Sequence, residues 1–223
     1  MATTASPHSG GVIVVAVVVA LLAALLIADR VAVIFMQGRI AARVGGRGFS
    51  ARPQVTIAGF PFLTQLAARR LDKIVVSAVG KKLGPVEVKR LDLTLYEIRA
   101  SPGGKGRTAS RLSGTALVGF AGLAEAVGAP GLTVSAAGPD RVKITAGLGL
   151  VTGTATARVT QAGPGGIRIA VIRVGGIPVA VPGLLRDITL SLPALPLEMT
   201  IQSVSVTSQG VQLHLAGQDV RFG

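Results

Sequence analysis

The run GGVIVVAVVVALLAALLIA, from Gly10 to Ala28, decides how the rest of the chain is read. It contains no charged, amide or hydroxyl side chain. As a helix it rises about 28 Å, close to the ~30 Å hydrocarbon core of a bilayer. A buried core helix keeps a polar stripe; this run has none on any face, so it reads as a transmembrane helix. A cleaved signal peptide carries a basic n-region and a small-x-small site. The first nine residues, MATTASPHS, hold no Lys or Arg, and Ile27-Ala28-Asp29-Arg30 offers no such site. The expected organisation is a disordered tail over 1–9, an uncleaved anchor over 10–28 and one domain over 29–223. All 23 Lys and Arg residues follow the run, which by the positive-inside rule keeps the domain in the cytoplasm.

A net charge of +13 points to an anionic partner, either nucleic acid or acidic lipid headgroups. Nucleic-acid binding wants stacking aromatics or a recognisable module. Here Tyr96 is the single tyrosine, tryptophan is absent and the cations are dispersed. Nucleic acid is set aside, and anionic phospholipid is the economical partner for a chain with a membrane segment. The competing reading is that the charges only keep an apolar domain soluble. The hydrophobic fraction is 49% but aromatics are only 3%; a β-rich domain with an aliphatic interior fits, as does one holding an aliphatic ligand. With no cysteine, disulfides, thiolate metal sites, a cysteine nucleophile and lipoprotein attachment are excluded.

After the anchor, Val31, Ile34, Phe35, Met36, Ile40 and Val44 recur at helical spacing, with Arg39, Arg43 and Arg47 on one side. Gly45, Gly46 and Gly48 end that segment. Gln54–Ala58 reads as a strand and Phe62–Arg70 as a short helix with Pro61 in its first turn. Asp72–Val79 alternates as a strand should, and Val86–Ile98 is a long strand with Leu91, Leu93 and Leu95 on one face. Val86 and Val88 are out of phase with that row, which predicts a bulge near Lys89-Arg90. Ser101–Arg107 is a loop, Arg111–Val118 a strand, and Phe120–Val127 a helix stopped by Gly128 and Pro130. Strands follow over Leu132–Ala136, Val142–Ala146, Gly153–Val159 and Ile167–Val174. Ile177–Pro196 is proline-rich with a helical turn at Leu184-Leu185-Arg186, and Met199–Thr207 with Val211–Leu215 makes a last hairpin. Successive strands with short turns imply antiparallel pairing, and the class is α+β.

Catalytic raw material is sparse. The two histidines, His8 and His214, sit at opposite ends of the chain, and there is no G-x-S-x-G elbow and no H-E-x-x-H. Asp92 and Glu97 would act as a carboxylate pair only if folding brought them together. Gly103-Gly104-Lys105-Gly106 lacks the Ser or Thr that a P-loop needs. A non-enzymatic protein without cofactor or metal is expected.

The segment Gly59-Phe60-Pro61-Phe62-Leu63-Thr64-Gln65 leads into Arg69-Arg70-Leu71-Asp72-Lys73-Ile74. Val88–Leu95, Gly217-Gln218-Asp219-Val220 and Asp29-Arg30-Val31 complete a pattern that resembles the LmeA-like phospholipid-binding family of actinobacterial envelope proteins. The likeness covers essentially the whole chain after the anchor. It implies a curved antiparallel sheet packed on a long helix, as in tubular lipid-binding domains. It also implies phospholipid binding, phosphatidylinositol among the ligands, in support of lipomannan-type glycolipid synthesis beside an envelope glycosyltransferase. The domain would then lie outside the cytoplasmic membrane. A basic cluster ahead of the apolar run, common in the family, is missing here; on the side of the membrane the resemblance is followed. Phe60, Phe62, Leu63 and Leu66 lie in the densest aromatic patch of an aromatic-poor chain, with Arg69, Arg70 and Lys73 beside it. They are the candidate lipid contacts: apolar groups to line or gate a cleft, cations for a phosphate. The alternatives left open are that the patch is plain core, and that the protein is an anchored scaffold for an envelope enzyme that carries no lipid of its own.

Overall fold

Between Ala28 and Gly45 the sequence has no proline, and its one interior glycine, Gly38, has open space around it. In the computed structural model of the chain, α1 (Ser9–Gly45) accordingly runs unbroken for 37 residues, about 55 Å. The structure describes residues 9–46, 49–83, 86–101, 106–127, 131–148, 151–175, 187–191 and 196–222. Among these, Gly11–Gly45 is the one helix long and apolar enough to cross a membrane, and none of its most apolar window is buried. The apolar run and the amphipathic segment after it are thus one element, with no break at Asp29. Beyond Ala28 the helix turns Asp29, Val33 and Ala41, spaced by four and eight residues, into the domain.

The strands divide into two antiparallel sheets. The first contains β1 (Gln54–Ala58), β2 (Arg70–Leu83), β3 (Val86–Ala100), β4 (Arg107–Gly119), β11 (Gly210–Phe222) and β10 (Thr200–Thr207), in the spatial order 1-2-3-4-11-10. The second runs in chain order: β5 (Leu132–Gly138), β6 (Arg141–Leu148), β7 (Val151–Gln161), β8 (Gly166–Gly175) and β9 (Ile188–Ser191). The α+β class and the antiparallel pairing are as expected. Two short helices, α2 (Phe62–Ala67) and α3 (Phe120–Val127), complete the fold, with a 3-10 turn at Pro196–Glu198.

Strand alternation produces an apolar and a polar face. Val55, Val76, Leu93, Gly114, Leu215 and Ile201 form one row across all six strands of the first sheet. The adjacent row on the other face is Thr56, Val75, Thr94, Ser113, Ala216 and Thr200. The expected bulge falls between Val88 and Arg90 against β4, and both Val86 and Val88 are buried. Here β2 also departs from regularity: Gly80 has φ +65° and accepts hydrogen bonds from the N–H and hydroxyl of Ser50.

One apolar core joins the helix to both sheets, from Val33 and Ala41 of α1 through Leu95 and Leu112 to Val142 and Ile169. A fully buried aliphatic side chain contributes about 1.5–3 kcal/mol. Edge strand β10 ties the sheets together. Its Ile201 and Val206 N–H groups donate to the carbonyls of Pro164 and Pro139 in turns of the second sheet, at 2.8 and 2.7 Å.

Several elements differ from expectation. Helix α2 ends at Ala67, because Arg69 adopts φ +53° and the chain enters β2 at Arg70. Strand β11 runs on to Phe222, pairing with β4 down to Arg107, and β9 lies inside the proline-rich stretch Ile177–Pro196, where no strand is expected. Arg47, Gly48 and the turn Leu184–Arg186 lie outside the described residues.

Candidate lipid and membrane interface

The segment from Gly59 to Asp72 folds back on itself against α1. Gly59 has φ +109°, and a Cβ there would run into Nε2 of Gln65, so only glycine lets the Gln65 amide lie over the turn. The Gln65 Oε1 then accepts the Asp72 N–H at 3.0 Å, closing α2 onto the start of β2. Pro61 is the N-cap, in extended conformation after a cis Phe60–Pro61 bond, and its carbonyl accepts the Thr64 hydroxyl at 2.8 Å.

No side chain of its own caps α2. The cap comes from α1: the Leu63 N–H donates to Oδ1 of Asp29 at 2.8 Å. A carboxylate suits this place, since the first N–H groups of a helix lack partners and carry partial positive charge. Asp29 is 2% exposed. Its Oδ2 has no hydrogen-bond partner and faces Nη2 of Arg30 at 3.8 Å, while the Arg30 guanidinium also lies 5.1 Å from the Phe60 ring centroid. Asp29 and Arg30 thus grip the α2 segment from the first turn after the apolar run.

The candidate lipid contacts separate by environment. Phe62 is 1% exposed and belongs to the core, and Leu63 is half-buried. Phe60 and Leu66 face outward, at 57% and 44% exposure. Arg69 sits at the tip of the turn, its side chain exposed and its backbone bonded on both sides, to the Leu66 carbonyl and the Ala100 N–H. Arg70 is exposed beside Asp72 at 3.9 Å. Lys73 is directed elsewhere: its ammonium lies 5.7 Å from the Tyr96 ring, whose centroid is 4.6 Å from the Arg111 guanidinium. The structure therefore brings Leu63 to Asp29 and Phe60 to Arg30, leaves Leu66, Arg69 and Arg70 exposed further along the same segment, and places Lys73 on the polar side of the first sheet.

Two concavities lie away from this segment. Ala24, Ile27, Ala28, Val31, Ala32 and Phe35 of α1 line a shallow, open apolar one. Arg90, Asp92, Thr115, Gln209 and Gln212 border a polar one on the outer side of the first sheet. Asp92 and Glu97 are not brought together as a carboxylate pair: Asp92 lines the polar concavity, whereas Glu97 accepts from the Ser110 hydroxyl and faces Arg99. His214 is exposed on β11, opposite Ser203 and Thr115. Among the described residues no three of His, Asp and Glu gather as a metal site would require.

Sequence reasoning missed Asp29 and Arg30 as partners of the Phe60 segment. The one available signal was a lone acid closing an apolar run, a costly place for a carboxylate unless something satisfies it.

The architecture is that of an α+β protein whose antiparallel sheets are joined through one core to a long apolar helix. Over residues 27–216 the chain matches the LmeA-like phospholipid-binding family, and it belongs to that family. The matched segment begins two residues before Asp29 and takes in both sheets except the end of β11 beyond residue 216. No curated protein and no solved structure matches the chain.

Proposed function

We propose that the protein is a membrane-anchored, non-enzymatic phospholipid-binding protein with its domain on the extracytoplasmic side of the cytoplasmic membrane. Membership of a phospholipid-binding family carries this reading. The continuity of α1 supports an uncleaved anchor. Asp29, Val33 and Ala41 are buried by the domain, so cleavage near Ala28 would leave the domain holding only a severed end of the helix. The proposed ligand is an anionic phospholipid of the phosphatidylinositol type, and the proposed role is in envelope lipomannan-type glycolipid synthesis beside a glycosyltransferase.

The proposed contacts are those of the α2 segment. Phe60 and Leu66 offer exposed apolar surface, and half-buried Leu63 is tied to α1 through its N–H and Asp29. Phe62 packs beneath and holds the segment's shape. Each methylene of an acyl chain buried there contributes about 0.8 kcal/mol, so apolar surface is the main requirement for the tails. The phosphate needs charge-assisted donors, which Arg69 and Arg70 supply from the exposed turn. Lys73, engaged with Tyr96 on the polar face of the first sheet, is the proposed cation set apart from the other two.

The test compares the full-length protein with a Phe60→Asp, Arg69→Glu double variant, both in detergent, for binding of phosphatidylinositol and of phosphatidylcholine. Selective binding of phosphatidylinositol that the folded double variant loses supports the assignment. Undiminished binding by that variant places the lipid elsewhere. The side of the membrane is read separately with Ser208→Cys, in the exposed turn between β10 and β11, since the native chain has no cysteine. An impermeant thiol reagent is expected to label it in intact cells, and protection there contradicts the exported arrangement.

A further inference from the structure

We infer that the α2 segment does not stand off the membrane but dips into it, with Phe60 and Leu66 seated at the boundary of the hydrocarbon beside α1. This rests on α1 spanning the bilayer, as proposed above. The sequence places the end of the apolar run at Ala28, because Asp29 and Arg30 follow. Seen from the lipid, the boundary is further along. Asp29 is turned into the domain and buried, and Arg30 lies over Phe60, so neither charge interrupts the opposite side of the helix. That side continues apolar and open: Val31, Ile34 and Phe35 are each about 60% exposed or more. The concavity formed by Ala24, Ile27, Ala28, Val31, Ala32 and Phe35 runs straight past the level of Asp29.

The first charge on this surface is Arg39, whose guanidinium lies 4.5 Å from the Phe35 ring centroid. A cation over an aromatic ring, its aliphatic stem along an apolar surface, is the arrangement that long basic side chains adopt where a helix leaves a bilayer. Arg43 follows one turn later, and Arg52 donates to the Gly38 carbonyl at 3.1 Å, placing a third cation beside this level of the helix. From Gly11 to Phe35 the helix rises about 37 Å, which fits a core of about 30 Å with a tilt. The helix therefore leaves hydrocarbon near Phe35 and Arg39. The Asp29–Leu63 hydrogen bond and the Arg30–Phe60 contact fix α2 about six residues before Phe35, some 9 Å along the axis, on the domain-facing side of the tilted helix, where the exposed Arg30 guanidinium marks the boundary. Phe60, exposed at that level, and Leu66, exposed one helical turn after Leu63, then present their apolar surface to lipid rather than water.

The native chain has no tryptophan, so single substitutions report depth without background. Full-length Phe60→Trp, Leu66→Trp, Ala20→Trp and Gln209→Trp proteins are reconstituted into phosphatidylcholine and phosphatidylglycerol vesicles containing chain-brominated lipid. Phe60→Trp and Leu66→Trp are expected to lose most of their emission to bromine and to emit further to the blue than Gln209→Trp, which remains unquenched. Ala20→Trp, in mid-span, sets the level for full immersion. If Ala20→Trp is quenched but both segment positions behave like Gln209→Trp, the segment stands in water and the inference fails while the anchor holds. If Ala20→Trp is itself unquenched, the anchor fails and takes the inference with it. Both segment positions are exposed, and either one alone reads the depth if the other variant does not fold.

Discussion

At the scale of residues, two neighbours in one tripeptide have opposite duties. Phe62 is a core side chain and Phe60 a surface one, although both stand in the same apolar, aromatic run. Truncating Phe62 to alanine removes a buried aromatic and is expected to cost about 3–5 kcal/mol. The same change at Phe60 alters stability by no more than about 0.5 kcal/mol. Asp29 lies between these extremes. Asp29→Ala leaves the Leu63 N–H without an acceptor, a loss of about 1–3 kcal/mol, whereas Asp29→Asn retains a carbonyl oxygen and loses less. Thermal unfolding of the full-length variants in one detergent checks the set, at about 2–4 °C per kcal/mol for a domain of this size. The expected order of Tm is wild type and Phe60→Ala highest, then Asp29→Asn, Asp29→Ala and Phe62→Ala. An Asp29→Ala protein as stable as wild type would mean that the contact between α1 and α2 contributes nothing.

At the scale of elements, glycine spacing sets how closely strands approach. Gly114 on β4 sits opposite Leu93, and a Cβ there would meet Leu93 Cδ2 at 2.5 Å and the Asp92 carbonyl oxygen at 2.8 Å. The second of these is backbone and gives way poorly. Gly114→Ala is expected to destabilise by about 1–3 kcal/mol, measured by the same unfolding experiment. The leucine row of β3, its bulge at Lys89 and the limits of α3 were all legible in the sequence, because alternation and turn residues are local signals. The division into two sheets was not, since it depends on which strand closes beside which; β11 pairs with β4, about a hundred residues earlier in the chain. Strand β9 was hidden by the prolines around it. The far half of β11 was hidden by Gly217 and by Asp219, whose φ of +49° interrupts the alternation. At the candidate site, the aromatic patch and its arginines could be read directly. Their attachment to Asp29 could not, because that contact joins residues 34 positions apart through tertiary packing.

At the scale of the whole molecule, the second half of α1 is part of the domain's own core. The core of the sheets includes Val33 and Ala41 of the helix, and the helix caps α2 through Asp29. With α1 spanning the bilayer as proposed, a helix joined in this way would set the height of the domain and present its Phe60 face to lipid. On the proposed reading, dispersed cations need no recognition of sequence or shape to favour an anionic surface: a net charge of +13 would supply the attraction and the apolar segment the hold. The central claim is that this assembly binds phospholipid, and native mass spectrometry of the full-length protein, released from detergent after extensive washing, tests it most directly. The account predicts a protein peak displaced by the mass of bound phospholipid, anionic species being retained at collision energies that strip neutral ones. A protein that appears without lipid, or that retains neutral and anionic lipids alike, contradicts it.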